Sequence, residues 1–187
     1  MKSLLNGNVY NHNIDGWSVT WESNLGFRHW CYQMKDLAWE NLMVVMFNPG
    51  SLSGDGSNLS KDTTLRILRE VCKEANLNPF VINLFDYSSP SPQVLFDNWK
   101  DRDPENLVFN KLSLSEFRWL IYAYGDYENW GQQDGEIKER QYFVKEVLGS
   151  IPEIDLPKNK SGTPKHPIIW QRQKIKDEIA CILRNRA

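Results

Sequence analysis

Short apolar runs that alternate with segments of helical periodicity constrain this fold more than any other feature of the chain. The runs are LMVVMF at 42–47, FVINLF at 80–85 and RWLIYAY at 118–124, and a shorter one follows at 153–157. A strand covered on both faces is continuously apolar, and strands that alternate with helices form a parallel sheet between helical layers. The sequence therefore predicts a three-layer α/β/α fold, in which helices cover both faces of a central, mostly parallel sheet of about four strands.

The segments between these runs carry apolar residues at helical spacing. Helices are predicted near 62–75, 93–99 and 137–148, and an amphipathic helix is predicted at the C-terminus around Ile175 and Ile179. Residues 1–40 instead alternate aromatic and polar residues, which predicts one or two antiparallel strands packed on the core. Because no linker-like stretch interrupts residues 1–187, we expect one domain with its α/β core at 41–187.

The composition excludes several classes of protein. Three scattered cysteines and three histidines without ligand spacing predict neither a disulfide framework, nor a zinc site, nor an iron–sulfur cluster, so no metal and no cofactor are expected. No apolar run approaches the roughly 20 residues that span a bilayer, and no export signal is recognised. We expect a cytoplasmic protein without a membrane partner. Possible protein partners are not identified by the sequence.

The charge is unevenly distributed along the chain. Residues 157–187 contain eight basic residues against Asp177 and Glu178, a local charge of +6, which leaves −8 on the rest of a chain whose total is −2. Such an asymmetry is typical of a face that meets phosphates, and Lys165 and Arg172 are the candidate contacts. A solvated terminal helix with a basic outer face explains the same pattern.

Polar residues follow the strand-like runs where chemistry is expected. Asn48 ends the first run, Asn83 lies in the second, and His166 lies in GTPKHPIIW at 162–170. Because the carboxyl ends of parallel strands open onto one crevice, these side chains are predicted to converge there. The polar loop Ser51–Lys61, which contains two glycines, is predicted to cover the crevice as a mobile lid.

Five segments in this order resemble a known family. They are VVMFNPG, DTTLR, NLFDYSSPSP, AYG and GTPKHPIIW, and together they are similar to the motifs of the bacterial domain-of-unknown-function family 1643. The pattern also resembles, more distantly, the uracil-DNA glycosylase superfamily, in which an Asn or acidic residue before Pro, an Asn that reads a flipped base, and a His-Pro segment form the site. The resemblance places Asn48, Asn83 and His166 in those roles. This chain departs from that pattern because no Ser-Pro follows its His-Pro.

These residue types suit the cleavage of an N-glycosidic bond. His166 could donate a hydrogen bond to the leaving base, and Asn83 has the donor and acceptor that match a pyrimidine edge. Asn48 could orient a water, with Asp62 or Asp55 assisting hydrolysis, and the turn at Gly50 offers backbone N–H groups. The aromatic residues nearby either stack on a base or belong to the core. They are Phe47, Phe85 and Tyr87.

Each candidate also has a structural explanation. Asn48 before Pro can close its turn, Asn83 can fasten a neighbouring loop, and His166 can be a structural residue of a proline-stiffened segment. Three functions therefore remain open: an enzyme acting on a nucleic acid or nucleotide, a module that binds a nucleobase without catalysis, and a protein that binds a partner through its aromatic N-terminal segment.

Overall fold

The computed structural model describes residues 10–14, 17–22, 27–32, 36–50, 62–89, 91–102, 112–127 and 133–186. Its strands are β1 (Tyr10–Ile14), β2 (Trp17–Glu22), β3 (Phe27–Tyr32), β4 (Glu40–Met46), β5 (Leu77–Asn83) and β6 (Trp119–Tyr122). They form one six-stranded sheet in the order β1-β2-β3-β5-β4-β6.

The sheet is mixed, which corrects the prediction of a mostly parallel sheet. β5, β4 and β6 are parallel to one another, whereas β1, β2, β3 and β5 pair in antiparallel fashion. The reason is the length of the connections, since only residues 15–16 join β1 to β2 and residues 23–26 join β2 to β3. A parallel neighbour needs a crossover of about a dozen residues or more.

The fourth predicted parallel strand is reduced to one isolated bridge between Leu120 of β6 and Glu153. Two hydrogen bonds make this bridge, from the N–H of Leu120 to the oxygen of Pro152 and from the N–H of Ile154 to the oxygen of Leu120. Pro152 and Pro157 flank the segment, and proline has no N–H to extend a ladder. β6 is therefore covered over only part of its length by this segment.

The predicted helices are confirmed as α1 (Thr63–Glu74), α2 (Pro92–Asp97), α3 (Asp134–Leu148) and α4 (Gln173–Arg184). Asp62 begins α1 by accepting the N–H of Leu65 at 3.0 Å, so one of the donors that a helix N-terminus leaves open is satisfied. A 3-10 helix at Pro167–Gln171 follows His166. Among the helices that the structure describes, none is long and apolar enough to cross a membrane.

Helices cover both faces of the parallel strands. Alternate side chains of β4 point to opposite faces, because successive residues of a strand do so. Val44 and Met46 pack with residues of α1 and α4, whereas Met43 and Val45 pack with residues of α2 and α3. We call these the α1-side core and the α3-side core. Burial on both faces explains why these strands are continuously apolar in the sequence.

Candidate functional site

The strand order indicates where a binding crevice is expected. β4 lies between β5 and β6, the helix that follows β4 packs on one face, and the helix that follows β6 packs on the other. The chain thus leaves β4 and β6 in opposite directions, which is the switch point at which open α/β sheets bind ligands. The residues that follow β4 and β6 are therefore the first candidates for contact with a ligand.

Asn48 fastens two loops together at the end of β4. Its Nδ2 donates to Ser89 Oγ at 2.8 Å, to the oxygen of Pro49 at 3.0 Å and to that of Tyr87 at 3.3 Å. The amide nitrogen is therefore used to hold the loop after β5 against the loop after β4. The amide oxygen accepts no hydrogen bond from the residues that the structure describes, so it is the part of Asn48 that remains for a ligand or a water.

Asn83 is the most unusual polar side chain in the described part of the chain. It is 1% exposed, yet neither Oδ1 nor Nδ2 has a hydrogen-bond partner among the described residues. Its backbone is well fixed, because the hydrogen bonds from Leu84 to Met46 (2.7 Å) and from Phe85 to Phe47 (3.0 Å) continue the parallel ladder beyond it. Most buried polar groups are paired, and an unpaired one costs about 1–3 kcal/mol, so this amide calls for a functional explanation.

The direction of the Asn83 side chain follows from its strand. Val81, two residues earlier, belongs to the α1-side core, and alternation places Asn83 on that same face. Asn83 is paired in register with Met46, which also lies on this face. The unpaired amide therefore lies at the carboxyl ends of the parallel strands, on the side that α1 covers.

His166 is held by its own turn. Its Nδ1 accepts the N–H of Ile168 at 3.2 Å, at the start of the 3-10 helix. Burial lowers the pKa of His166 to about 4, and the nearby Asp62 only partly opposes this effect. The imidazole is therefore neutral at pH 7. Because Nδ1 is an acceptor, the proton of the neutral ring is on Nε2, which makes that atom a hydrogen-bond donor.

Gly125 allows a separate segment to approach this histidine, and Gly50 lies near Asp62. A Cβ on Gly125, whose φ is +85°, would lie 3.3 Å from the Cβ of His166. A Cβ on Gly50 would lie 3.7 Å from Asp62 Oδ2. Since Asp62 in turn acts electrostatically on His166, the structure brings Gly50, Asp62, Gly125 and His166 into one neighbourhood.

The aromatic candidates are mostly core residues. Phe47 and Phe85 are both 2% exposed, and their rings meet edge to face with centroids 5.4 Å apart. Phe85 also packs on Trp99, at 4.9 Å between centroids. Tyr87 is half-buried, and its carbonyl oxygen receives the hydrogen bond from Asn48. Packing in the α3-side core therefore explains the positions of Phe47 and Phe85 without a stacked nucleobase.

Part of the basic charge near the C-terminus is neutralised within the chain. Lys158 pairs with Asp155 at 2.9 Å, Lys176 with Glu70 at 2.6 Å and Arg186 with Glu40 at 3.1 Å. Five cations in residues 157–187 have no ion pair with any residue that the structure describes, and they lie on both sides of His166 in the sequence. They are Lys160, Lys165, Arg172, Lys174 and Arg184. Lys165 is half-buried, and Arg172 is exposed just before α4.

Two surface cavities of about 420 Å³ and 410 Å³ lie beside β6 rather than at the strand ends described above. Trp119, Cys181 and Arg186 help to line the first, and Tyr122 and Lys145 help to line the second. Neither contains Asn48, Asn83 or His166, and the guanidinium of Arg186 is already paired with Glu40. The unpaired amide of Asn83 is the better indication of a site. No group of three or more His, Cys, Asp or Glu side chains among the described residues could hold a metal ion.

Comparison with known proteins places the chain in a family. The model of the family described as a protein of unknown function, DUF1643, matches residues 27–168. The chain belongs to this family. The DUF1643 match begins at β3 and includes Asn48, Asn83 and His166, whereas Arg172 and α4 lie beyond it. No curated protein and no solved structure gives a significant match.

Sequence reasoning missed three residues that lie within the DUF1643 match. Ser89 receives the hydrogen bond from Asn48, Gly125 contacts His166, and Tyr127 packs against Phe47 with centroids 4.4 Å apart. A glycine that directly follows an apolar run was a usable signal for Gly125, since such positions often require positive φ. The predicted lid at Ser51–Lys61, including Asp55, lies outside the described residues.

Proposed function

We propose that the crevice at the carboxyl ends of β4, β5 and β6 binds a ligand that contains a nucleobase, and that Asn83 recognises an edge of the base. The buried, unpaired amide of Asn83 is the observation that carries this proposal. An amide presents a donor and an acceptor side by side, and a base edge presents the complementary pair. A ligand of this kind would satisfy both atoms and recover the free energy that their burial costs.

The second part of the proposal is that the site cleaves the N-glycosidic bond of this ligand. Such a reaction needs the base to be held outside its stack and the charge on the departing base to be stabilised. Neutral His166 suits the second task, because its Nε2–H can donate to the oxygen where negative charge develops. One such donor contributes roughly 3 kcal/mol to comparable reactions.

Asp62 supports the catalytic version of the proposal more strongly than Asn48 does. The Asn48 amide nitrogen is committed to three acceptors, so Asn48 can orient a water only through its oxygen. Asp62 acts electrostatically on His166, and the hydrogen bond that its Oδ1 accepts at the start of α1 fixes the carboxylate in place. We assign Asp62 the roles of positioning water and stabilising a cationic sugar, which are electrostatic and geometric contributions.

A module that binds a nucleobase without hydrolysing it is the second candidate. An Asn rather than an acidic residue stands at the end of β4, and its hydrogen bonds to Ser89 and to the carbonyl of Tyr87 give it a structural role. In this version the crevice and Asn83 remain as described, and His166 contributes binding alone.

The decisive experiment separates binding from release of base. Wild-type protein is titrated by calorimetry with free bases, nucleosides, nucleotides and single- and double-stranded oligonucleotides, and released base is measured by mass spectrometry. Asn83→Leu should weaken binding about 100-fold, since two hydrogen bonds to the ligand are lost. His166→Gln should abolish release while it preserves most of the binding. Binding without release supports the non-catalytic module, and the absence of binding across the whole panel rejects both candidates in favour of a partner-binding protein.

The dependence of ligand affinity on salt concentration tests whether the protein contacts phosphate groups. Lys165→Ala and Arg172→Ala should each reduce the slope of log affinity against log salt by about one for an oligonucleotide ligand. The matched control is Lys138→Ala, because Lys138 is an exposed cation on α3. An equal effect of all three substitutions would show that the charge acts nonspecifically and would remove Lys165 and Arg172 from the site.

A further inference from the structure

The loop after β6 holds the segment that carries His166 at two points. Gly125 lies directly against the histidine, so close that a Cβ on this glycine would lie 3.3 Å from the Cβ of His166. The next residue, Asp126, accepts a hydrogen bond from Ser161 Oγ at 2.9 Å. Ser161 is in turn within 2.9 Å of Thr163 Oγ1, which joins the turn before His166 to the same network. We call residues 125–127 the β6 loop.

Tyr127 completes these contacts with its aromatic ring. A Cβ on Gly125 would lie 3.1 Å from Tyr127 Cε2, so the ring and the histidine both lie against the same glycine. The ring also packs on Phe47, with centroids 4.4 Å apart and an interplanar angle of 34°. Tyr127 thus fills the space between the end of β4 and the neighbourhood of His166. Burial raises the pKa of its hydroxyl, which is consistent with restricted water at this position.

We propose that Gly125 and Tyr127 are positioning residues for His166, with Gly125 permitting the close approach and the ring of Tyr127 excluding water from the imidazole. The importance of this arrangement for chemistry rests on the proposed function, but the arrangement itself belongs to the free protein. It makes the β6 loop a determinant of the protonation state of a histidine that is 41 residues away from Gly125 in the chain.

The charged groups around His166 show why the exclusion of water matters. Asp62, at the start of α1, favours the charged imidazolium and raises the pKa of His166, whereas burial lowers the pKa and dominates. Lys165 precedes the histidine in the chain, and Asp126 in the β6 loop is engaged with Ser161. If the ring of Tyr127 is removed, water reaches the imidazole. The effect of burial, which is the largest influence on the pKa of His166, is then weakened.

The test is an NMR titration of the imidazole protons in the free protein. The His166 resonance is assigned by its loss in His166→Gln, because the chain has three histidines. Tyr127→Ala should raise the pKa of His166 from about 4 toward 6.5, the ordinary value. Gly125→Ala should change it in the same direction, because the new methyl group must displace the histidine or the ring. Tyr127→Phe keeps the ring and should leave the pKa of His166 unchanged, and so should the exposed control Tyr142→Ala.

An unchanged His166 pKa in folded Tyr127→Ala or folded Gly125→Ala would overturn the proposal. If Tyr127→Ala does not fold, Tyr127→Leu replaces it, because leucine fills part of the space beside Phe47 while it removes the flat ring. An equal shift in Tyr127→Phe would also contradict the proposal, since it would assign the effect to the hydroxyl. No ligand is present in this titration, so a failure of the proposed function does not change its outcome.

Discussion

The two ends of β5 each bury an asparagine, and the two residues differ in one respect. Asn78 is 4% exposed, and its Nδ2 donates to the oxygen of Asp36 at 2.8 Å and to that of Trp39 at 3.2 Å. Asn83 is 1% exposed, and neither of its amide atoms has a hydrogen-bond partner among the residues that the structure describes. Asn78 therefore holds neighbouring backbone in place through hydrogen bonds, whereas the amide of Asn83, on the same strand, makes none with the described residues.

The contrast extends to the whole sheet. At the amino ends of the parallel strands, the Glu40 carboxylate accepts from Trp119 Nε1 at 2.7 Å and from Arg186 at 3.1 Å, and these partners, Trp119 foremost, lower its pKa. At the carboxyl ends, burial lowers the pKa of His166 and so disfavours its charged form. Proteins commonly satisfy polar groups where stability is at stake and leave them unsatisfied where they function. This difference is the reason for placing the proposed site at the carboxyl ends of the parallel strands.

The largest effect on stability is expected for a substitution of Asn78, near the amino end of β5. Asn78→Leu should destabilise the protein by about 3 kcal/mol, because the carbonyl oxygens of Asp36 and Trp39 lose their donor within a buried region. Urea denaturation followed by circular dichroism measures the change in the free energy of unfolding. A loss of unfolding free energy below about 1 kcal/mol would mean that water readily replaces the hydrogen bonds of Asn78. The two ends of β5 would then differ less in stability than their hydrogen bonds suggest.

The next effect concerns pH at the carboxyl end. The folded protein has a His166 pKa of about 4 and the unfolded chain has the ordinary value of 6.5, so the unfolded state binds more protons between these values. The low pKa of His166 in the folded protein therefore contributes to stability above pH 6.5. This contribution, about 2 kcal/mol after allowance for the partial exposure of the side chain, is lost as the pH falls toward 4. Unfolding free energies measured from pH 7 to pH 4.5 should show this slope. The slope should disappear in His166→Gln, and its persistence there would assign it to another group.

The smallest effect has the opposite sign from the first. Asn83→Leu should stabilise the free protein by about 1–2 kcal/mol, because it replaces two buried polar atoms that have no partner among the described residues with apolar groups on a side chain of the same number of heavy atoms. The same substitution should weaken binding of the nucleobase ligand. Thermal denaturation alongside calorimetry measures both effects, with Asn78→Leu as the matched control. A destabilised Asn83→Leu would show that the amide is satisfied in solution, which would remove the observation that carries the proposed function.

Local patterns predicted much of this fold. The continuous apolar run at 42–47 identified β4, and the helical spacing of Leu65, Leu68 and Val71 identified α1, since both signals depend on residues close together in the chain. The antiparallel pairing of β3 with β5 was not predicted, because it joins Trp30 to Ile82 across a long stretch of chain. No short-range pattern specifies which edge of a sheet a distant strand will join.

The candidate site shows the same division between sequence and tertiary structure. The sequence by itself determined which residues are the candidates for chemistry, namely Asn48, Asn83 and His166, because their types and their places after apolar runs can be recognised locally. Only the tertiary structure decided that the amide nitrogen of Asn48 is occupied, that the amide of Asn83 has no partner among the described residues, and that Gly125 lies against both Tyr127 and His166. The physical reason is that burial and hydrogen bonding depend on which segments meet across the sheet, and those meetings join residues that are distant in the chain.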